Sequence, residues 1–162
     1  MTSPAAAARA AIDRRAPPHD VASEQAVFRA LIYEPSSFAL ASAIVSTDDF
    51  YETRHQLLWG VIAASNAEGA SPDAALLADL VGRNGIGQKI GGEAYLAELA
   101  RDGLPSATLV EHHARIVKER SIRRKVLAAG QALSEAAHTP GLDVKAFVSE
   151  ETEYLREVLA EA

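Results

Sequence analysis

The chain has 162 residues, 48% of them apolar, and a formal net charge of −6 at pH 7. That length and apolar share support one ordinary domain with a real core and exclude a chain disordered throughout. The absence of cysteine rules out disulfides and thiolate metal sites, the acidic balance opposes tight binding of a phosphate backbone, and no apolar run approaches the roughly 18 residues of a membrane span.

Residues 1–16 are rich in Ala and Arg and lack the apolar stretch of a secretory signal. Their composition is compatible with a transit peptide; a frayed, disordered tail is the reading adopted, with the cytoplasm as the expected compartment. Pro17-Pro18-His19 ends the tail. Asp20 is an N-cap candidate for a first helix reaching to about Tyr33, with Val21, Val27, Leu31 and Ile32 on its apolar side. Pro35 stops it. A second short helix fits Ser37–Val45. Thr47-Asp48-Asp49 is the next cap signal, and Phe50 and Tyr51 anchor the start of a third helix over Thr53–Ala67, whose core face is Leu57, Leu58, Val61 and Ile62. A loop from Gly69 to Pro72 leads to a fourth helix over Asp73–Arg83, carried by Leu76, Leu77, Leu80 and Val81. Asn84 to Gly92 reads as a glycine-rich loop. The pair Gly91-Gly92 then admits a short fifth helix that places Tyr95, Leu96 and Leu99 on one face.

Gly103-Leu104-Pro105 is the main internal boundary. Beyond it, Thr108–Ala137 reads as one long helix with apolar positions Val110, Ala114, Val117, Ile122, Val126, Ala129, Leu133 and Ala137, interrupted near Arg120-Ser121. After the turn Thr139-Pro140-Gly141, a last helix from Asp143 carries Val144, Phe147, Val148, Leu155, Val158 and Leu159. No segment alternates with the period of a strand. The expected fold is all-α: a helical head of about five helices over 17–104, then a long antiparallel helical hairpin over 105–162. Aromatic residues make up only 6% of the chain, so Leu, Ile, Val and Ala are expected to build the core. The hairpin divides its charge. Arg115, Lys118, Arg120, Arg123, Arg124 and Lys125 crowd the first arm, and Glu150, Glu151, Glu153, Glu157 and Glu161 the second. Antiparallel pairing would bring them together and set register more than stability, since exposed ion pairs contribute about 0–1 kcal/mol each.

Signals of chemistry are weak. Gly82-Arg-Asn-Gly-Ile-Gly87 matches the opening of a phosphate-binding P-loop, but Gln88 stands where the lysine is required and no strand precedes it. A loop between helices is the better reading. The dinucleotide pattern fails at Ile90, where the third glycine belongs. His112 and His113 are adjacent, so they point to different sides of a helix and cannot chelate as an i, i+4 pair. His55, four residues from Trp59 and near Asp48, Asp49 and Glu52, reads as a local cap or packing contact. No catalytic, cofactor-binding or metal site is expected, and no small-molecule substrate.

Four segments carry a resemblance. They are Pro17-Pro-His19 with Ser23-Glu-Gln-Ala-Val27; Asp48-Asp-Phe-Tyr51 with Arg54-His55; Ile90-Gly-Gly-Glu-Ala-Tyr-Leu-Ala-Glu-Leu99; and Ala114-Arg-Ile-Val-Lys-Glu-Arg120 followed by Arg123. In that order and spacing they resemble the N-terminal domain of replicative DnaB-type DNA helicases, over about residues 17–160. Phe28-Arg29-Ala30 departs from the family's usual Leu-Gly-Gly, so packing there is expected to differ.

The resemblance implies a head and a hairpin whose contacts arrange six subunits as a trimer of dimers, a collar above the motor ring. It also implies a docking surface for primase or a helicase loader. The self-association surface expected from the apolar stripe is Ile116, Ile122, Val126 and Leu133 with Phe147, Val148 and Leu155; Phe50, Tyr51, Gly91, Gly92, Tyr95, Leu96 and Leu99 are expected to scaffold the head. The chain ends at Ala162 without the P-loop and arginine finger of the motor, so ATP hydrolysis and unwinding by the family's mechanism are not expected of it. Neither is direct nucleic-acid or membrane binding. Two functions compete: the collar domain itself, and a free-standing regulator or adaptor that binds a resident replicative helicase. A helical enzyme with an unrecognised site is a third reading, with no constellation to support it.

Overall fold

The computed structural model of the chain describes residues 16–101 and 107–161. The tail read over 1–16 lies outside the described residues except for Ala16, and so does the boundary at Gly103-Leu104-Pro105. Among the described residues eight α-helices follow one another: α1 Val21–Tyr33, α2 Phe38–Ser42, α3 Thr53–Ala67, α4 Ala74–Arg83, α5 Gly87–Ile90, α6 Gly92–Arg101, α7 Ala107–His138 and α8 Val144–Ala160. Two single 3₁₀ turns, Pro35–Ser37 and Thr47–Asp49, flank α2. No strand occurs among the described residues.

Aspartates start three of these helices. The Asp20 carboxylate accepts from Ser23 N at 2.9 Å, Asp73 from Leu76 N at 2.9 Å, and Asp143 from Lys145 N at 3.1 Å and Ala146 N at 3.2 Å. Each satisfies backbone donors that the first turn leaves unpaired. Ser46 and Asp49 form a capping box on the second 3₁₀ turn, so the Thr47-Asp48-Asp49 signal caps that turn rather than α3.

One expectation changes. The loop read over 84–92 contains α5, one turn held by the fully buried Ile90. Four residues are too few to show a period, so the pattern could not reveal it. The left-handed backbone at Gly85 (φ +65°) separates α4 from α5, and no strand leads into the Gly82–Gly87 segment. A helix–turn–helix connection therefore stands where the P-loop-like match was noted. α7 is the one long helix expected, and where its apolar spacing is interrupted at Arg120-Ser121, Ser121 is buried and Arg124 reaches back to the head.

The head core is centred on aromatic rings, against the expectation from their scarcity. Phe28 lies 5.2 Å from Phe50 and 6.5 Å from Trp59, centroid to centroid, and Phe38 lies 5.3 Å from Trp59. Leu31, Leu58, Ile62, Leu77, Val81, Ile90 and Leu99 surround them. The few aromatics are concentrated here. Val110, Ala114 and Val117 of α7 are buried in the same core against α1. The far half of α7 packs along α8 through a thin seam of Ala129, Ala136 and Val158. Ala136, not Ala137, faces that seam.

α5 joins α6 through Gly91 (φ +101°) and Gly92 (φ +72°), a backbone that L side chains rarely adopt. A Cβ on Gly91 would stand 3.1 Å from Tyr95 Cβ. Gly91→Ala is therefore expected to cost about 1–2 kcal/mol, read as a lower denaturation midpoint at unchanged slope. A midpoint equal to that of the parent would show that the turn relaxes freely.

Candidate functional site

The head's buried polar groups converge on His55. Glu24 falls one turn before Val27 and Phe28 on the core stripe of α1, so its carboxylate is carried inside, where only 1% of the residue is exposed. There Glu24 Oε1 accepts from Tyr51 N at 2.6 Å, and Oε2 accepts from Glu52 N at 3.3 Å. His55 Nδ1 lies 2.6 Å from Glu24 Oε2, and Nε2 lies 2.5 Å from Tyr95 Oη. The carboxylate can only accept, so Nδ1 carries a proton. Tyr95 Oη accepts from Gln25 Nε2 at 3.4 Å, which directs its own proton at Nε2. Burial holds the Tyr95 hydroxyl above the usual phenol value and thus protonated. Arg54 covers its ring at 4.1 Å. α1, the start of α3 and α6 are thereby tied at one point. An open cleft of about 390 Å³ lined by Glu52, Arg54, Lys89 and Gly91 lies beside this network, but Glu24 and His55 are buried away from it, so the arrangement braces the head.

A second cluster fastens the hairpin to the head. Arg124 donates to Pro18 O at 2.9 Å and Asp49 O at 2.6 Å. His19 stacks on Tyr51 with centroids 4.3 Å apart. Lys118 Nζ lies 3.2 Å from Asp49 Oδ2 and 2.9 Å from Glu161 Oε2, and Lys125 Nζ lies 2.6 Å from the same Glu161 oxygen. Burial alone would lower the Lys118 pKa, but hydrogen bonds and charge from Glu161 and Asp49 outweigh it and raise it. Beside this junction is an open groove of about 530 Å³ lined by Ala43, Ile44, Ile122, Arg115, Lys118, Glu119 and Glu161. It brings together no nucleophile and base.

Glu161 is held at about pKa 2, down from 4.5, by its hydrogen bonds to Lys118 and Lys125. Its folded value lies below its unfolded one, so its contribution is present above about pH 4.5 and lost as pH falls toward 2. The side chain is 42% exposed, which keeps that contribution small. A carboxyl NMR titration is expected to place the Glu161 inflection at about 2 rather than at 4.5. An ordinary value would remove the fastening.

The charge division of the hairpin resolves differently from the expectation. Among the described residues, Glu161 alone of the acidic arm meets the basic arm, at Lys118 and Lys125. Arg115 pairs with Glu111, and Arg120 and Arg123 with Glu119, all within α7. With Glu161 opposite 118–125, Glu150 and Glu151 fall beside the 130s, which carry no Lys or Arg. His113 reaches Ser23 Oγ at 3.3 Å, and His112 is exposed. Burial and the neighbouring His112 lower the His113 pKa.

The seven residues of the expected association surface divide. Val126 is 49% exposed and Val148 43%, while Ile116, Ile122, Leu133, Phe147 and Leu155 are half-buried. Ile122, Val126 and Leu133 share one stripe of α7. Ile116 stands about 120° around the helix from Ile122 at 3.6 residues per turn, and so leaves that stripe. Of the scaffold residues, Phe50, Tyr95, Leu96 and Leu99 are buried, Tyr51 is half-buried, and Gly91 and Gly92 form the turn. No group of three or more His, Cys, Asp or Glu among the described residues could hold a metal ion, and no described helix is long and apolar enough to cross a membrane.

A family model described as the DnaB-like helicase N terminal domain matches residues 16–119. The chain belongs to that family. Replicative DNA helicase DnaC of Bacillus subtilis (strain 168) is 29% identical over 91% of this chain, and replicative DNA helicase DnaB of Geobacillus stearothermophilus 31% over 89%. The chain spans 32% of the length of each of these relatives. The crystal structure of the N-terminal domain of DnaB helicase from Mycobacterium tuberculosis superposes with a TM-score of 0.79 at 27% identity, covering 88% of this chain and 99% of that one.

Within this DnaB-type N-terminal domain, three of the four resembling segments meet at His55. Glu24 comes from the first, Tyr51 and His55 from the second, and Tyr95 from the third. The local reading of His55 missed its partner, which lies 31 residues upstream. One signal for it was in the sequence: Glu24 precedes Val27, Phe28 and Leu31 at spacings of 3, 4 and 7. An acid on that stripe needs a buried partner.

Proposed function

We propose that this chain is the assembly and docking collar of a replicative helicase: it self-associates through the far half of its hairpin and presents its head and hairpin to primase or a helicase loader. One observation carries the reading. Beyond Lys125 the hairpin buries only Ala129, Ala136 and Val158, while Val126, Val144 and Val148 are each between 43% and 49% exposed on it. Two helices joined by so thin a seam do not hold together well in water, and an apolar face of this extent is the kind that a partner covers. A second copy satisfies both needs at once. The role needs no catalysis, cofactor or metal, and the net charge of −6 disfavours direct contact with DNA.

Light scattering of the full chain at tens of micromolar is expected to give a dimer or a larger species whose mass falls on dilution. A strict monomer that nonetheless binds a full-length replicative helicase would replace this reading with the adaptor. A strict monomer that binds neither helicase nor primase would remove both.

A further inference from the structure

We propose that segment 1–15 of the chain binds along its own hairpin, with Arg14 and Arg15 supplying the cations that Glu150 and Glu157 of α8 lack. The contact does not depend on the pairing put forward above. Its direction follows from two bonds on α7. His113 meets Ser23 at 3.3 Å, and Arg124 donates to Pro18 O at 2.9 Å. Numbers rise along α7 as they fall toward the start of the chain, so at Pro18 the chain is heading for the far half of the hairpin. Arg124 also donates to Asp49 O, and the Asp49 carboxylate meets Lys118, which meets Glu161. Residues 17–19 and the Glu161 side of α8 therefore border one junction.

That side of α8 is acidic. Phe147, Glu150, Tyr154, Glu157 and Glu161 are spaced three and four apart, within about 80° of one another at 3.6 residues per turn. Val144 and Val148 lie about 100–140° round the helix from the middle of this face. Glu150 and Glu157 are exposed and make no side-chain hydrogen bond or ion pair among the described residues. The hairpin cannot supply their partners. From Val126 to His138, α7 carries no Lys or Arg. Arg156 is bound to Glu153 at 3.0 Å, and Lys145 stands about 120–140° round α8 from both acids. Segment 1–15 has the missing sign: Arg9, Arg14 and Arg15 against Asp13 alone, a formal excess of positive charge on a chain of −6.

The reach agrees. Three residues separate Arg15 from Pro18 and span up to about 10 Å, as far as α7 advances between Arg124 and Gln131. With Glu161 opposite 118–125, Glu157 and Glu150 fall beside positions of about 126 and about 133, at the two ends of that interval. Tyr154 stands between them, 38% exposed, and offers a guanidinium its ring face. Exposed pairs of this kind are weak between separate molecules. A segment tethered a few residues away meets its site at an effective concentration on the order of millimolar, which suffices to hold it there. Bound so, it braces the two arms where their own seam is thin.

The chain has no cysteine, so a nitroxide on Ala11→Cys reports the motion of this segment alone. In low salt its rotational correlation time is expected to be at least ~3-fold longer than in the same chain carrying Glu150→Gln and Glu157→Gln, and at about 1 M salt, where screening acts over about 3 Å, the two are expected to agree. Glu68→Gln with Glu93→Gln, the same charge change at exposed positions of the head, is expected to leave the label slow. Arg14→Glu with Arg15→Glu is expected to free it, and adding Glu150→Arg and Glu157→Arg to restore it. An unchanged unfolding midpoint shows that each variant is folded. A label equally mobile in the parent and in the Glu150→Gln, Glu157→Gln chain, an equal effect of the head substitutions, or an exchange that restores nothing overturns the proposal. So does a slow label that becomes mobile on dilution, which would assign the face to the segment of a second copy.

Discussion

Replacing His55 with alanine is expected to lower the unfolding free energy by about 3–5 kcal/mol, the combined cost of a buried carboxylate left short of a donor and the cavity of a large side chain. The imidazole is 0% exposed and is the only described side chain that bonds both Glu24 and Tyr95. Its removal leaves the Glu24 carboxylate with two backbone donors, a tyrosine hydroxyl without its acceptor, and a void beside Phe28, whose ring centre is 5.1 Å from that of His55. Desolvation then acts on groups that can no longer answer it, which is why loss of one member costs more than the pair contributes. Urea or guanidinium unfolding checks this through a lower midpoint at unchanged slope. Tyr95→Phe removes one hydroxyl and is expected to cost less, about 1–3 kcal/mol. Because the three side chains act together, His55→Ala and Tyr95→Phe are expected to combine to less than their sum by at least ~0.5 kcal/mol. Strict additivity would show that no network exists.

The helices were legible because their signals are local. Asp20, Asp73 and Asp143 each bind backbone donors within three residues, and α3 spans the Thr53–Ala67 of the periodicity. The family was legible for a related reason: its segments are short and ordered along the chain. What joins them was not. Glu24, His55 and Tyr95 are separated by 31 and 40 residues, and no period in one helix states which polar group another helix will bring against it. Composition misled in one respect. Scarce aromatics suggested an aliphatic core, yet the head draws Phe28, Phe50 and Trp59 together, and the Ala-rich packing appears only in the hairpin seam. The charge division misled in another, because opposite charges on two arms meet only where the register allows. That register is fixed at the junction by Lys118, Lys125 and Glu161, far from Glu150 and Glu151.

Val148→Asp is expected to weaken self-association by 100-fold or more while leaving the unfolding of the single chain nearly unchanged. Val148 is 43% exposed in the isolated hairpin, so an aspartate there keeps its water and disturbs little. In the paired hairpin the same carboxylate would lie on an apolar face, next to Glu151 and without a partner of its own. Burying it costs several kcal/mol, and about 3 kcal/mol already corresponds to two decades in Kd. Leu109→Asp is the control. Leu109 is similarly exposed, at 45%, but it sits at the start of α7 beside the head rather than on the far hairpin. Sedimentation across a dilution series distinguishes the two. Loss for Val148→Asp with retention for Leu109→Asp places the contact on the hairpin face. Equal loss in both would mean that the exposed apolar residues associate without regard to position, and an unchanged constant for Val148→Asp would move the contact elsewhere. The hairpin would then be held by its thin seam alone, which is the arrangement that its few buried residues make least stable.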